Sequence, residues 1–278
     1  RPFAERKATM ERKATMAGAS GEFKATLIPA PQASYRPVIR QAVDHGRLVA
    51  DMAEFLGLGR DSVEATFRTY RRFHEAKGYA HRFGELKTLC FEEAFVIHTL
   101  LAALRPKRLV EIGTAQGRST RRILDSIALA GLECRVTTFD IANQATHFTP
   151  DEATLAVEDL RGRFRPRVLQ EIGADVIFID MHDYALLDEA VGECLADEGR
   201  RVLAIHDCTA GLCNPRMTLA KDDPNVTSET GTWERHILAA RFGVADPLSP
   251  ALDRAATATH RLTIFDTPHG LGVLMRKG

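Results

Sequence analysis

The chain lacks a surplus of either charge: 37 lysines and arginines balance 37 aspartates and glutamates over 278 residues. Nucleic-acid binders carry a basic excess or stripe, so no nucleic-acid partner is expected. It also lacks any apolar run near the roughly 18 residues that span a bilayer, and it has no secretory apolar segment, so no membrane role is expected. Cysteine is scarce: five residues, at 90, 134, 194, 208 and 213, with no C-x-x-C pair. The odd, scattered set argues against a disulfide framework and suits the reduced thiols of a cytoplasmic enzyme. What remains is ordinary for a globular protein, with 45% hydrophobic and 27% charged residues, enough for one large domain or a core with a smaller cap.

The hexamer ERKATM occurs at 5–10 and again at 11–16, without apolar periodicity, so residues 1–23 are expected to be a tag or disordered leader. A helical cap is expected over 24–104. Ile39, Val43, Val49, Met52 and Leu56 recur at helical spacing, and GLGRDS then breaks the run and offers Asp61 or Ser62 as an N-cap. Val63, Phe67, Tyr70 and Phe73 make a second stripe. A third helix, from about Leu86 to Leu104, buries Leu89, Ala94, Ile97, Leu100 and Leu101, with His98 as a structural histidine. Arg105-Pro106 stops it.

From 105 to 278 the rhythm changes. The runs RLVEIG, RVTTFDI, ADVIFID and RVLAIHD alternate with polar or helical segments, which predicts a parallel sheet covered on both faces, and TLAVED at 154–159 reads as a weaker strand. HRLTIFDT and LGVLMRKG, joined by Pro268-His269-Gly270, form an antiparallel hairpin. The expected fold is α/β: a Rossmann-like parallel sheet closed by an antiparallel C-terminal strand.

The turn in VEIGTAQGRST lacks the middle glycine of a dinucleotide fingerprint and the Gly-Lys-Ser/Thr of a P-loop. Glu111, two residues before Gly113, would repel a diphosphate and suit a cationic, amine-bearing ligand. Gly113 and Gly117 leave amide donors at a helix start. The turn therefore favours a nucleoside without phosphates.

VEIGTAQGRST is similar to motif I of the class I S-adenosylmethionine-dependent methyltransferases, and most to their small-molecule O-methyltransferase branch (catechol, caffeoyl-CoA and macrocin types). TTFDI, VIFIDMHDY, VLAIHDC and the closing hairpin resemble later segments of that branch in the same order, so the resemblance covers about 86–278. It implies a cofactor site built from Glu111, Gly113, Thr114, Ala115, Gly117, Ser119 and Asp180, with Asp140 on the ribose hydroxyls and Asp159 toward the adenine. The two acids after the fourth and fifth strands, Asp180 and Asp207, lie on strands roughly 4.8 Å apart and can reach one ion. In metal-dependent relatives these positions and the next residue bind Mg²⁺. That next residue here is Cys208, a poor match for a hard cation; His206, water or a softer metal are the alternatives.

Transfer to a hydroxyl needs an in-line acceptor and loss of its proton. His182 is the expected base, with His206 and Asp183 as further candidates, although Asp183 stands where relatives carry lysine and His206 should start on the opposite face of its strand from Asp207. An insertion at 209–260 carries a helix from Thr232 to Phe242 with Ser228, Thr230 or Thr232 as caps, and reads as a substrate lid in which Trp233 either meets substrate or anchors the helix. The partner expected is a small organic acceptor, phenolic or sugar, with homodimerisation through the helical region as one option. N-methylation, another reaction on the same fold, or a catalytically silent nucleoside-binding module stay open.

Overall fold

The computed structural model describes residues 42–79, 89–213 and 233–278. The leader, Ile39, Leu86 and the cap candidates Ser228, Thr230 and Thr232 lie outside them. The apolar runs form β1 (Arg108–Ile112), β2 (Arg135–Asp140), β3 (Thr154–Val157), β4 (Val176–Ile179) and β5 (Val202–Ile205), and the hairpin supplies β6 (His260–Phe265) and β7 (Leu271–Arg276). The sheet order is β3-β2-β1-β4-β5-β7-β6; the first five strands are parallel, and β7 runs antiparallel between β5 and β6. This is the expected parallel sheet closed by an antiparallel C-terminal strand. Every residue of β4 and β5 is buried, which is why both read as unbroken apolar runs instead of alternating ones. The chain moves outward from β1 to β3 and then returns to place β4 on the other side of β1. That reversal opens a crevice beyond the strand tips, where ligands of such sheets bind.

Helices cover both faces. On one lie α1 (His45–Leu56), α2 (Arg60–Lys77), α3 (Phe91–Leu104) and α4 (Arg118–Leu129). Leu48, Phe67 and Phe95 share one core with Ile123, Phe178 and Val273, so the N-terminal helices form a layer of the sheet fold. Asp44 caps α1 by accepting from Arg47 N at 3.0 Å. α2 begins earlier than the Asp61 or Ser62 expected, because extended Gly59 starts it and Asp61 falls into the first turn. His98 is structural: it is buried and stacks on Tyr70 with ring centroids 4.8 Å apart.

The other face carries a π-helical segment (Arg165–Ile172), α5 (Tyr184–Ala196) and α6 (Glu234–Phe242). Trp233 is buried and meets Tyr184 edge-on at 5.3 Å, which anchors α6 to α5. At the hairpin turn Gly270 has φ +77°, and a Cβ there would fall 2.1 Å from Thr209 N. Only glycine admits that approach. The turn is thereby stitched to the segment after β5, through Cys208 N to Gly270 O at 2.9 Å and Thr209 N to His269 O at 2.8 Å. No described helix is long and apolar enough to cross a membrane.

Candidate active site

Gly113 follows β1 with φ +100°, and a Cβ would lie 2.1 Å from the Asp180 carbonyl oxygen. This glycine lets the β1 turn press against the tip of β4. Gly117, with φ +79°, lies under the Phe148 ring, 2.6 Å from where a Cβ would sit. Between them Ala115 takes φ +45°, a conformation uncommon for a residue with a Cβ. The turn is held by Ala115 N donating to Asp140 Oδ2 at 2.7 Å.

Three side chains expected to contact the ligand are engaged within the protein instead. Glu111 is fully buried, and its carboxylate accepts from Ser119 Oγ at 2.6 Å, from Thr138 Oγ1 at 2.8 Å and from Thr120 Oγ1. It ties β1, β2 and α4 together and does not face a ligand; burial pushes its carboxyl up to about 7 against those three donors. Ser119 is spent on Glu111, and buried Thr114 pairs its hydroxyl with Thr138. Gly113, Ala115 and Gly117 therefore offer backbone where side chains were expected to help.

Asp140 ends β2, half-buried, and its Oδ1 also accepts from Ala142 N at 3.1 Å. Its neighbour Ile141 is 55% exposed, and Val157, its register partner on β3, is 54% exposed. These are two of the four large apolar side chains exposed among the described residues. An acid at a strand tip is thus flanked by uncovered apolar surface. Asp159 is exposed and clasped by Arg161 through Nε at 3.0 Å to each oxygen and through Nη2 at 2.5 Å. That guanidinium holds the carboxyl below its usual range, so Asp159 is committed to an ion pair.

The tips of β4 and β5 gather a second cluster. Asp180 directly follows β4. β5 stops at Ile205, and Asp207 turns back with φ +62°, so strand alternation no longer separates it from His206. The two side chains converge: His206 Nδ1 lies 3.3 Å from Asp207 Oδ1 and 3.3 Å from Asp180 Oδ1. The opposite-face expectation fails because the strand ends one residue too early. Cys208 is no part of the cluster. It is fully buried, with Sγ directed to Ile205 O at 3.3 Å and packed against Gly272, and burial pushes its thiol up. The candidate cation set is Asp180, His206 and Asp207, whose ligand atoms lie within 4.8 Å of one another.

His182 bridges Glu234 Oε1 at 2.9 Å through Nδ1 and Asp207 Oδ2 at 3.4 Å through Nε2. Burial disfavours its charge, but the Glu234 hydrogen bond and the carboxylates of Glu234, Asp207 and Asp180 outweigh that and push it up to about 9. His182, the expected base, thus stands between two carboxylates at the same strand tips. Asp183 is the N-cap of α5, accepting from Leu186 N at 2.9 Å, with Arg161 3.8 Å away. Its carboxylate is accounted for structurally.

Three residues escaped the sequence reading: Glu93, Glu234 and His269. Glu93, on α3, is 0% exposed. It accepts from Cys90 N at 2.8 Å, His269 N at 2.8 Å and His206 Nε2 at 3.2 Å. Burial opposes its charge, yet the two histidines hold its carboxyl well below the usual range. The signal was present, since Glu93 lies four residues before Ile97 and seven before Leu100, on the apolar stripe.

No protein-family model and no curated protein matches the chain. Among solved structures it is similar to an O-methyltransferase of Bacillus cereus in complex with S-adenosylhomocysteine, at 18% identity over 77% of this chain and 91% of that one, TM-score 0.41. It is similar to TomG of Streptomyces achromogenes, an O-methyltransferase involved in tomaymycin synthesis and bound to S-adenosylmethionine, at 14% identity over 85% and 100%, TM-score 0.43. A methyltransferase of Podospora anserina bound to S-adenosylhomocysteine shows 13% identity over 100% and 98%, TM-score 0.44.

Proposed function

We propose that the protein transfers a methyl group from S-adenosylmethionine to a hydroxyl of a small organic molecule, phenolic or sugar, with a divalent cation beside the acceptor. The observation that carries this reading is the pairing of two sites on one sheet edge. A half-buried acid flanked by exposed apolar side chains stands at the tip of β2, and an Asp-His-Asp cluster stands at the tips of β4 and β5. Gly113, pressed on the Asp180 carbonyl, is the shared wall between them.

The sequence resemblance assigns the first site to the nucleoside. Asp140 would accept from the ribose diol, Ile141 and Val157 would border the base, and the backbone of Gly113 to Gly117 would face the amino-acid part. S-adenosylmethionine bound there would supply an electrophilic methyl to the acceptor oxygen, with the C–S electron pair left on sulfur and the hydroxyl proton passed to water. The second site fits a cation, because buried His206 Nδ1 has no hydrogen-bond partner among the described residues and faces two carboxylates. A cation held by Asp180, His206 and Asp207 would lower the pKa of an acceptor hydroxyl and help to orient it. Glu234 keeps His182 charged, and His182 in turn holds Asp207 in place from the solvent side.

The test is methyl transfer from S-adenosylmethionine to a panel of catechols, phenols and sugars, with and without chelator. Formation of S-adenosylhomocysteine should require an oxygen acceptor, fall with chelator, and fall about 100-fold or more in Asp180→Asn and Asp207→Asn. Transfer to amines alone would favour N-methylation. Cofactor binding without transfer to any acceptor would favour a silent binding module.

A further inference from the structure

The cation assigned above to the β4 and β5 tips would meet a nitrogen ligand that is already aimed. His206 is 6% exposed, and its Nε2 donates to Glu93 Oε2 at 3.2 Å. In the neutral ring this puts the proton on Nε2 and leaves the Nδ1 lone pair free. Nδ1 has no hydrogen-bond partner among the described residues, yet stands 3.3 Å from Asp180 Oδ1 and from Asp207 Oδ1. A histidine braced by a carboxylate on one nitrogen and directed by the other at acidic ligands is how metal-bound imidazoles are held. The brace is itself fixed: Glu93 accepts from the backbone of Cys90 and of His269.

We infer that His206 ligates through Nδ1, with Glu93 as its positioning residue, and that the site selects a first-row transition ion, Mn²⁺ to Zn²⁺, over Mg²⁺. This rests on the cation reading proposed above and names the ion's class. Mg²⁺ favours oxygen ligands and water, whereas imidazole suits the later ions of the series. The Cys208 thiol is directed to the Ile205 carbonyl, away from the three ligand atoms, and does not compete.

The experiment titrates the chelator-stripped full chain with the chlorides of Co²⁺, Zn²⁺, Mn²⁺ and Mg²⁺, alone and in competition. Mg²⁺ should displace Zn²⁺ only beyond about 1000-fold excess. The proton NMR spectrum of the Co²⁺ form should show one hyperfine-shifted, exchangeable ring proton, the Nε2–H guarded by Glu93. His206→Asp, which makes an all-oxygen set, should cut the Zn²⁺ over Mg²⁺ preference about 100-fold. Glu93→Gln should weaken Co²⁺ binding roughly 10–100-fold and broaden the ring proton by exchange. Mg²⁺ competing with Zn²⁺ at similar concentrations, or absence of the shifted proton, would overturn the inference. So would folded wild-type protein that binds none of the four ions, which would leave His206 as a buried counter-charge only. Calorimetry with S-adenosylhomocysteine on the same samples separates the two readings. Missing cofactor heat with intact metal selectivity removes the methyltransferase reading alone; the reverse result removes this one.

Discussion

Glu93 and His206 are 113 positions apart in the chain, yet Glu93 Oε2 and His206 Nε2 meet at 3.2 Å. The contact joins α3, a helix of the covering layer, to the tip of β5, and His269 from the hairpin turn closes on the same carboxylate. One buried anion thus ties three remote segments to the site. Removing it strands two histidines. Glu93→Ala is expected to destabilise the protein by about 3–5 kcal/mol, and Glu93→Gln by less, read from urea unfolding at neutral pH.

Glu111 behaves oppositely. Its folded-state pKa is raised to about 7 by burial, above an unfolded value of about 4.3. Its contribution is therefore lost as pH rises from about 4.3 to 7, because the folded state binds the extra proton. Glu111→Gln keeps one acceptor oxygen, offers its NH2 to a hydroxyl that turns to accept, and removes that penalty. It should be more stable than wild type at pH 8 by about 1–3 kcal/mol, and its affinity for S-adenosylhomocysteine should stay within about threefold of wild type.

Two buried histidines set the acid limb. Burial lowers His74 and His98 to about 4, His74 also under the Arg122 charge. Unfolded, each titrates near 6.5. The unfolded chain therefore takes up protons first, and stability drops as pH falls from about 6.5 to 4. His98→Phe keeps the stack on Tyr70 and removes one titration. Its loss of stability between pH 7 and pH 5 should be smaller than wild type by about 1–2 kcal/mol, measured as the shift in urea midpoint.

Gly113→Ala meets two obstacles, a φ of +100° and an Asp180 carbonyl oxygen 2.1 Å from the new Cβ. Backbone on both sides leaves no flexible atom to move. The variant should lose about 3 kcal/mol or more, seen as a lowered Tm. Gly57→Ala, with open space around its Cβ position, should lose only about 1 kcal/mol.

The sheet was legible because its central strands are buried on both faces and stand as apolar runs between polar segments, and because the short connection at 266–270 forces β6 and β7 antiparallel. Asp140, Asp180 and Asp207 were legible as acids at strand ends. The role of His206 was not, since it depends on β5 ending at Ile205 and on the left-handed Asp207 that follows. Cys208 stands where the resemblance implies a third ligand, but the stitch from Cys208 N to Gly270 O turns its side chain inward. Glu234 comes from α6 and His269 from the hairpin, elements brought to the site only by folding. Glu111 looked like a ligand-facing acid because the sequence does not reveal that Ser119, Thr120 and Thr138 enclose it.

The most direct test is isothermal calorimetry of S-adenosylhomocysteine against wild type and Asp140→Ala. Saturable one-site binding to wild type, weakened about 100-fold by losing the acid at the tip of β2, is the predicted result. Silence toward this nucleoside and its methylated parent, with NAD filling the site instead, would contradict the account.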